Sequence, residues 1–156
     1  MKTLVIIDMQ KGFLRDCQTW RGRVIEEVLS LIKDFRKHQW PILIVEFIGY
    51  QDSTTIEEIH KAIKGYEKFV QFVKKNNIDG SNQILSWRQY WDWPLSLVVC
   101  GIYGDCCISA TVDGIIDKDP RVSIEIREEA IYPKYSSWVS NENRAEHKAR
   151  VQVVSS

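Results

Sequence analysis

The chain has 156 residues, of which 44% are hydrophobic, so it can bury a core and is not a disordered sequence by composition. Basic and acidic residues both number 21, and the formal net charge is zero. This balance argues against a nucleic acid or an anionic membrane surface as the partner. We therefore expect one domain, residues 1–156, whose partner is a small molecule recognised by a specific site.

The N-terminus, "MKTLVIIDMQ", holds only a short apolar run before Asp8, which is too short for the hydrophobic region of a signal peptide. No stretch approaches the roughly 18 apolar residues of a membrane span. The four cysteines lack the regular spacing of a disulfide framework. We therefore expect a cytoplasmic protein with reduced thiols.

Apolar runs and helix-periodic segments alternate along the chain. Five runs predict buried strands: Thr3–Asp8, Pro41–Ile48, Lys68–Val73, Leu95–Cys100 and Arg121–Ile126. The segments between them predict helices at 23–39, 53–66, 81–90 and 106–116, and a closing helix is predicted at 141–151. This alternation predicts a three-layer α/β/α sandwich with a mostly parallel, doubly wound, Rossmann-like sheet.

Sites in such folds lie at the carboxyl ends of the strands, where the strand order reverses. Asp8 ends the first predicted strand, Lys74 and Lys75 end the third, and Cys107 follows the fourth after a short turn. A cysteine in the first turn of a helix faces free backbone N–H groups, which lower the pKa of its thiol. Together these residues predict a thiol nucleophile with a proton acceptor and a charge stabiliser.

Each of these residues also has an ordinary structural role. An aspartate after a strand is a common turn or cap residue, lysines at strand ends are usually solvated, and a cysteine near a helix start is often a small core residue. A nucleotide-binding Rossmann domain is disfavoured, because no G-x-G-x-x-G follows the first strand. The surrounding motifs decide in favour of the catalytic interpretation.

Two segments resemble signatures of one known family. "TLVIIDMQKGF" resembles the opening of the isochorismatase-like cysteine hydrolases, in which an apolar strand delivers the catalytic aspartate. "VVCGIYGDCCISATVDGI" resembles the second signature of that superfamily, G-x-x-T-D-x-C-V-x-x-T. Alignment from Gly101 places the nucleophile at Cys107, with Thr111 in register after it. The resemblance covers residues 3 to about 130 and implies an isochorismatase-like fold.

The resemblance implies hydrolysis of a small amide-like C–N bond through an Asp-Lys-Cys triad and a thioester intermediate. Its members would be Asp8, Lys75 and Cys107, where counting back from Asp79–Gly80 favours Lys75 over Lys74. Backbone N–H groups of Cys107 and of the Ile102–Tyr103 turn are expected to bind the oxyanion.

The adjacent thiols of "GDCC" are expected to differ in direction. Successive helical residues point about 100° apart, so only one of the two thiols faces the crevice. Register assigns that role to Cys107, and Cys106 is interpreted as a packing or surface residue. We expect Cys107 to react faster than Cys106 with iodoacetamide near neutral pH.

Aromatic side chains near the strand ends are the candidates for a substrate pocket: Phe13, Tyr50 and Tyr103, with Trp138 as a further candidate and Trp87 as a packing residue. No metal or cofactor is expected, because "VEFIGYQDSTT" lacks the histidine of the D-x-H ligand set found in the nicotinamidase branch. The three histidines are interpreted as surface residues. The resemblance also implies a homo-oligomer.

The sequence departs from the family pattern in several places. Gly104 replaces the threonine or serine of the signature, and the lysine segment lacks the usual aromatic residue. The chain beyond Ile131 is short for the family, which leaves open whether a final strand or lid is present. These departures sustain one alternative, a non-catalytic protein of the same fold that binds a small ligand or a partner.

Overall fold

The computed structural model describes residues 1–15, 19–49, 51–91, 96–132 and 151–154. The described strands are β1 Thr3–Ile7, β2 Ile42–Phe47, β3 Val70–Lys75, β4 Ser96–Ile102, β5 Ser123–Tyr132 and β6 Val151–Val154. The helices are α1 Lys11–Arg15, α2 Arg21–His38, α3 Glu57–Ile63, α4 Ser81–Trp91 and α5 Ser109–Lys118. A 3₁₀ turn, Glu67–Phe69, precedes β3, and a π-helical turn, Gly104–Ile108, precedes α5.

The strands form one sheet in the order β3-β2-β1-β4-β5-β6, and every neighbouring pair is parallel. The strand order reverses at β1, which lies between β2 and β4. A parallel sheet needs apolar cover on both faces, because its strands are joined by crossover helices. The predicted three-layer α/β/α sandwich is confirmed, and its switch point lies beside the carboxyl end of β1.

Strand β1 shows how alternate residues build two separate cores. Leu4 and Ile6 pack with α2 and α3, whereas Val5 and Ile7 pack on the opposite face with α4 and α5. All four side chains are fully buried. Since successive residues of a strand point to opposite faces, one apolar run supplies both layers. The carboxylate of Asp8, the residue that follows β1, therefore lies at the buried carboxyl edge of the sheet.

Strands β1 and β4 approach each other unusually closely beside this edge. Gly101 pairs with Ile7 and has a φ of +131°, and a Cβ at this position would lie 2.1 Å from the Ile7 carbonyl oxygen. Only glycine fits there without moving one of the strands. The pairing of β4 with β5 also shifts register between Val99 and Gly101, a bulge of the kind often found next to functional sites.

The observed elements differ from the predicted ones mainly at their ends. Strand β3 ends at Lys75 rather than Val73, and β5 continues to Tyr132 rather than ending at Ile126. A final strand is present, because β6 pairs in parallel with β5. The predicted closing helix falls outside the described residues except for Val151, which begins β6. None of the described helices has the length and apolar character needed to cross a membrane.

Candidate active site

Asp8 follows β1 directly and is completely buried. Its backbone has a φ of +57°, in the left-handed region that L-residues other than glycine seldom adopt, and its N–H donates to the Val45 carbonyl oxygen at 3.0 Å. Strained backbone of this kind persists where the surrounding structure holds it and is common at functional sites. The turn places the carboxylate at the switch point of the sheet.

Lys75 is the last residue of β3 and is also completely buried, whereas its neighbour Lys74 is exposed. Strand alternation explains the difference, because adjacent residues of β3 point to opposite faces. The Lys75 ammonium lies 2.9 Å from Oδ2 of Asp8. This contact brings together the predicted acid and lysine and selects Lys75 rather than Lys74.

The Lys75 ammonium has two further neighbours. It donates a hydrogen bond to the Ile78 carbonyl oxygen at 3.1 Å and lies 5.6 Å from the centre of the Phe47 ring. Charge attraction is the larger effect of this ammonium on the Asp8 carboxyl group. Phe47 was not among the predicted site residues. Its position as the last residue of β2, at the carboxyl edge of the sheet, was the signal that could have identified it.

Cys107 lies in the π-helical turn between β4 and α5 and is 7% exposed, whereas the adjacent Cys106 is exposed. The two thiols therefore differ in direction, as the helical geometry predicts. The Cys107 thiol interacts with the Asp8 carboxyl group. The structure thus gathers three predicted residues, Asp8, Lys75 and Cys107, at one buried edge of the sheet.

Burial has the largest effect on the pKa values of Asp8 and Cys107. It raises the pKa of the Asp8 carboxyl above its ordinary value, against the opposing effects of the Lys75 ammonium and the Cys107 thiol. Burial and the adjacent Asp8 carboxylate raise the pKa of the Cys107 thiol to about 12, although Lys75 opposes this shift. The position at the helix start therefore does not give Cys107 a lowered pKa, and the net effect of the neighbouring charges, which the sequence leaves open, is a rise.

The Cys107 side chain is consequently a neutral thiol at neutral pH. A neutral thiol can attack a substrate only if a neighbouring base removes its proton, and the Asp8 carboxyl group is the neighbour that interacts with it. The expected order of alkylation also changes, because iodoacetamide reacts with accessible thiolates. We now expect the exposed Cys106 to be labelled before the buried Cys107.

The N–H groups of the Ile102–Tyr103 turn were predicted to bind the oxyanion, and one of the two is already occupied. The Tyr103 N–H donates to the Tyr132 carbonyl oxygen at 2.6 Å, so it is not free to bind an oxyanion. Tyr103 instead anchors the turn that carries Cys107, since its carbonyl oxygen accepts the N–H groups of Cys106 at 3.0 Å and Ile108 at 3.1 Å. The oxyanion role of the Cys107 and Ile102 N–H groups stays a prediction.

Gln10 is a buried polar residue that positions part of the site. Its side-chain amide donates to the Phe47 carbonyl oxygen at 3.0 Å, accepts the Phe47 N–H at 2.8 Å and also donates to the Ser53 carbonyl oxygen. These bonds fix the end of β2 against the start of α1. No role was predicted for Gln10. Its place two positions after Asp8, within the quoted motif, was the available signal in the sequence, and its burial in the structure explains why its polar groups are all paired.

Three aromatic rings lie close to one another beside Lys75 and the turn that carries Cys107. The Phe13 ring lies edge-to-face against Tyr103, with centroids 5.3 Å apart, and 6.1 Å from Phe47. All three side chains are partly exposed. Of the other aromatic candidates, Tyr50 and Trp138 lie outside the described residues. Trp87 is buried in the core between the sheet and helix α5, in agreement with its predicted packing role.

Potential metal ligands are dispersed in the described parts of the chain. No three histidine, cysteine, aspartate or glutamate side chains there are grouped so that they could hold an ion. His38 and His60 are exposed on α2 and α3, as predicted, and His147 lies outside the described residues.

The sequence of the chain matches a family model along most of its length. The model of the isochorismatase domain matches residues 2–124. The chain belongs to the isochorismatase family. Its Asp8, Lys75 and Cys107 all lie within the matched residues. No curated protein matches the chain by sequence.

Solved structures of other proteins share the fold of this isochorismatase-family chain. Nicotinamidase PncA from Bacillus subtilis has a TM-score of 0.75 at 15% identity, with 97% of this chain and 98% of the other covered. N-carbamoylsarcosine amidase from Thermoplasma acidophilum has a TM-score of 0.74 at 17% identity, covering 97% and 94%. Nicotinamidase SaPncA from Staphylococcus aureus has a TM-score of 0.71 at 17% identity, covering 83% and 81%. At these identities the likeness concerns the fold.

Proposed function

We propose that the protein is a cysteine hydrolase that cleaves a small amide-like C–N bond with Asp8, Lys75 and Cys107. One observation carries the proposal: a completely buried carboxylate–ammonium pair lies against a thiol that is only 7% exposed. A buried charge pair is weak evidence for stability, because desolvation offsets much of the attraction. Perturbed titratable groups at the switch point of an α/β sheet favour a catalytic site instead.

The first half of the proposed reaction forms a thioester. Asp8 takes the proton of Cys107 as Sγ attacks the carbonyl carbon of the substrate, and the electron pair of the C=O bond moves to oxygen. The backbone N–H of Cys107 stabilises the oxyanion. The C=O bond re-forms as the C–N bond breaks, and Asp8 returns its proton to the leaving nitrogen.

The second half releases the acid product. Asp8, again a carboxylate, removes a proton from water as the water attacks the thioester carbonyl. The S–C bond breaks, and Cys107 regains a proton from Asp8. Lys75 stays charged throughout, and its ammonium offsets the negative charge that moves between Asp8, the sulfur and the oxyanion. Asp8 thus accepts a proton from the thiol or from water and later returns it to the leaving nitrogen or to the sulfur. A carboxyl group with a raised pKa holds such a proton more readily, so the raised pKa of Asp8 supports this role.

The substrate is proposed to be a small, flat amide or ureido compound. The partly exposed rings of Phe13 and Tyr103 offer apolar contacts of the kind that line small-molecule sites. The similar solved structures named as a nicotinamidase and an N-carbamoylsarcosine amidase support the amide class. We further propose that the enzyme is metal-independent, cytoplasmic, a single domain over residues 1–156, and a homo-oligomer.

A panel of small amides and ureido compounds tests this function, with Cys107→Ala as the inactive control. We expect ammonia or amine release from at least one compound with the parent protein and none with the control. Turnover that the two proteins share would mean that Cys107 is not the nucleophile or that a contaminant is active, and Cys106→Ala distinguishes the other cysteine from a contaminant. Stable binding of a compound with no turnover would favour the alternative, a non-catalytic ligand-binding member of the fold. That alternative is supported by Gly104, which is buried where the signature carries a hydroxyl side chain.

A further inference from the structure

Thr111 lies on the same helical segment as the nucleophile and contacts the lysine side of the site. It is completely buried on α5, four residues after Cys107, so the two residues lie on the same side of the segment. Its Oγ1 accepts the Gly80 N–H at 2.9 Å and lies 3.4 Å from the Ile78 carbonyl oxygen, to which it donates. One hydroxyl thus holds the turn at residues 78–80 against α5.

The same carbonyl oxygen also binds the triad lysine. Ile78 accepts a hydrogen bond from the Lys75 ammonium at 3.1 Å, and that ammonium lies 2.9 Å from Asp8. The turn packs tightly on the lysine, because a Cβ on Gly80 would lie 3.2 Å from Cδ of Lys75. The segment that carries Cys107 is therefore connected to Lys75 in a second way besides the contact through Asp8: the Thr111 hydroxyl and the Lys75 ammonium both donate to the Ile78 carbonyl oxygen.

A lysine in this position needs such a support. Strand β2 lies between β3, which carries Lys75, and β1, which carries Asp8. The side chain must therefore cross the end of β2, and its flexible four-carbon stem does not fix the position of the ammonium. The Ile78 carbonyl oxygen, which accepts a hydrogen bond from the ammonium at 3.1 Å, does fix this position.

We propose that Thr111 is a positioning residue, which holds the Ile78 carbonyl oxygen in place and thereby fixes the Lys75 ammonium beside Asp8 and Cys107. The proposal rests on the proposed function, since it assigns Thr111 to the support of that triad. Loss of the hydroxyl leaves the buried Gly80 N–H without its acceptor, and the turn moves to satisfy it. The ammonium then follows the Ile78 carbonyl oxygen and offsets the Asp8 charge less well.

Three variants separate positioning from general stability. Thr111→Val removes the hydroxyl at nearly constant shape, and Thr111→Ser keeps it. Thr3→Val is the matched control, because Thr3 is also a buried threonine but its hydroxyl has no hydrogen-bond partner among the described residues. Thr111→Ala, which also lacks the hydroxyl, provides the same comparison if the valine variant does not fold.

The first readout needs no substrate: the rate of Cys107 alkylation by iodoacetamide as a function of pH, with Cys106 and Cys107 distinguished by tandem mass spectrometry. A displaced Lys75 leaves Asp8 to oppose the thiolate more strongly, so we expect alkylation in Thr111→Val to slow by about tenfold at pH 9, as one pKa unit would produce. Thr111→Ser and Thr3→Val should stay within about twofold of the parent. An unchanged or faster rate in folded Thr111→Val overturns the proposal.

The second readout uses any substrate that the amide panel identifies. Thr111→Val should lower kcat with little change in KM and move the acid limb of the pH–rate profile to higher pH. Thr111→Ser should have the kcat and the pH profile of the parent. A lower melting temperature with an unchanged pH profile would mean a purely structural role and contradict the proposal. If no substrate is found, the proposed function fails, whereas the alkylation profile still decides the role of Thr111.

Discussion

Two aspartate–lysine pairs contact the turn at residues 78–80, one through the bond from Lys75 to Ile78 and the other through Asp79 itself, and they differ in burial and in the pKa of the carboxyl group. Asp8 and Lys75 are 2.9 Å apart with both side chains completely buried. Asp79 and Lys118 are 3.2 Å apart with side chains 31% and 40% exposed. The separations are similar, so the differences come from the surroundings of each pair.

The carboxylates of the two pairs shift in opposite directions. Burial raises the pKa of Asp8 more than Lys75 lowers it. Partial burial also acts to raise the pKa of Asp79, but hydrogen bonds from Ser81 and the contact with Lys118 outweigh it, and the pKa falls below its ordinary value. Water around the surface pair still solvates its charges, whereas the buried pair has only its protein neighbours. A proton acceptor with a raised pKa is therefore found only in the buried pair.

The largest expected effect concerns the thiol that contacts the buried pair. Cys107→Ala should lower turnover of a panel substrate by at least about 1000-fold, because the bond-forming atom is lost. Cys106→Ala should stay within about threefold of the parent, since its thiol points to solvent. Both variants should give the circular dichroism spectrum of the parent. An active Cys107→Ala with an inactive Cys106→Ala would show that the nucleophile is the other cysteine.

Asp8→Asn should lower kcat by about 100- to 10,000-fold, because an amide keeps the shape of the carboxylate but cannot accept the thiol proton. Steady-state kinetics on the same substrate measures the change. Asp34→Asn, at an exposed carboxylate of α2, is the control and should leave kcat nearly unchanged. Activity of folded Asp8→Asn within about tenfold of the parent would exclude the role of Asp8 as general base.

Removal of the lysine should lower the free energy of unfolding much more at the buried pair than at the surface pair. Lys75→Met leaves Asp8 buried without its counter-charge and should lower the free energy of unfolding by about 3–5 kcal/mol at pH 7. Lys118→Met should cost about 0–1 kcal/mol, because its partner stays solvated. Urea denaturation at equilibrium gives both values. Equal costs would show that burial does not distinguish the pairs.

The pH dependence of stability should differ in sign between the two aspartates. Because the folded pKa of Asp8 is raised, its stabilising contribution is complete below the ordinary pKa of 3.8 and is lost as pH rises through the folded value. Asp79 behaves oppositely: its pKa is lowered, so its contribution is present above 3.8 and is lost as pH falls through the folded value.

Melting temperatures at pH 3 and pH 7 test this contrast. Relative to Asp8→Asn, the parent protein should be favoured more at pH 3 than at pH 7. Relative to Asp79→Asn, it should be favoured less at pH 3. The same direction of change in both comparisons would contradict the assignment of opposite pKa shifts.

The smallest expected effect is that of a chelator. Prolonged treatment with EDTA should change neither turnover nor melting temperature, because the proposed reaction uses only side-chain and backbone groups. Restoration of a lost activity by zinc, iron or manganese would reveal ligands that lie outside the described parts of the chain. An added metal without prior chelation serves as the control for nonspecific inhibition.

Much of this architecture could be predicted because it follows from local patterns. Alternating apolar runs and helix-periodic segments predicted the layers, and the position of Asp8 directly after an apolar strand placed it at the carboxyl edge of the sheet. The two motifs also predicted that Cys107 lies near Asp8, and in the structure its thiol interacts with the Asp8 carboxyl group. Strand β6 was left open, because its four residues follow a segment without a clear periodicity.

The sequence by itself determined which residue types stand at the ends of the central strands, since strand and helix periods depend on neighbouring residues alone. Tertiary structure decided what those residues can do. It buried Lys75 and exposed Lys74, raised the pKa of Cys107 against the effect of the helix start, and committed the Tyr103 N–H to Tyr132. Burial, charge and hydrogen bonding at this site depend on groups far apart in the chain, such as Asp8 and Lys75, and only the folded chain brings them within 3 Å of each other.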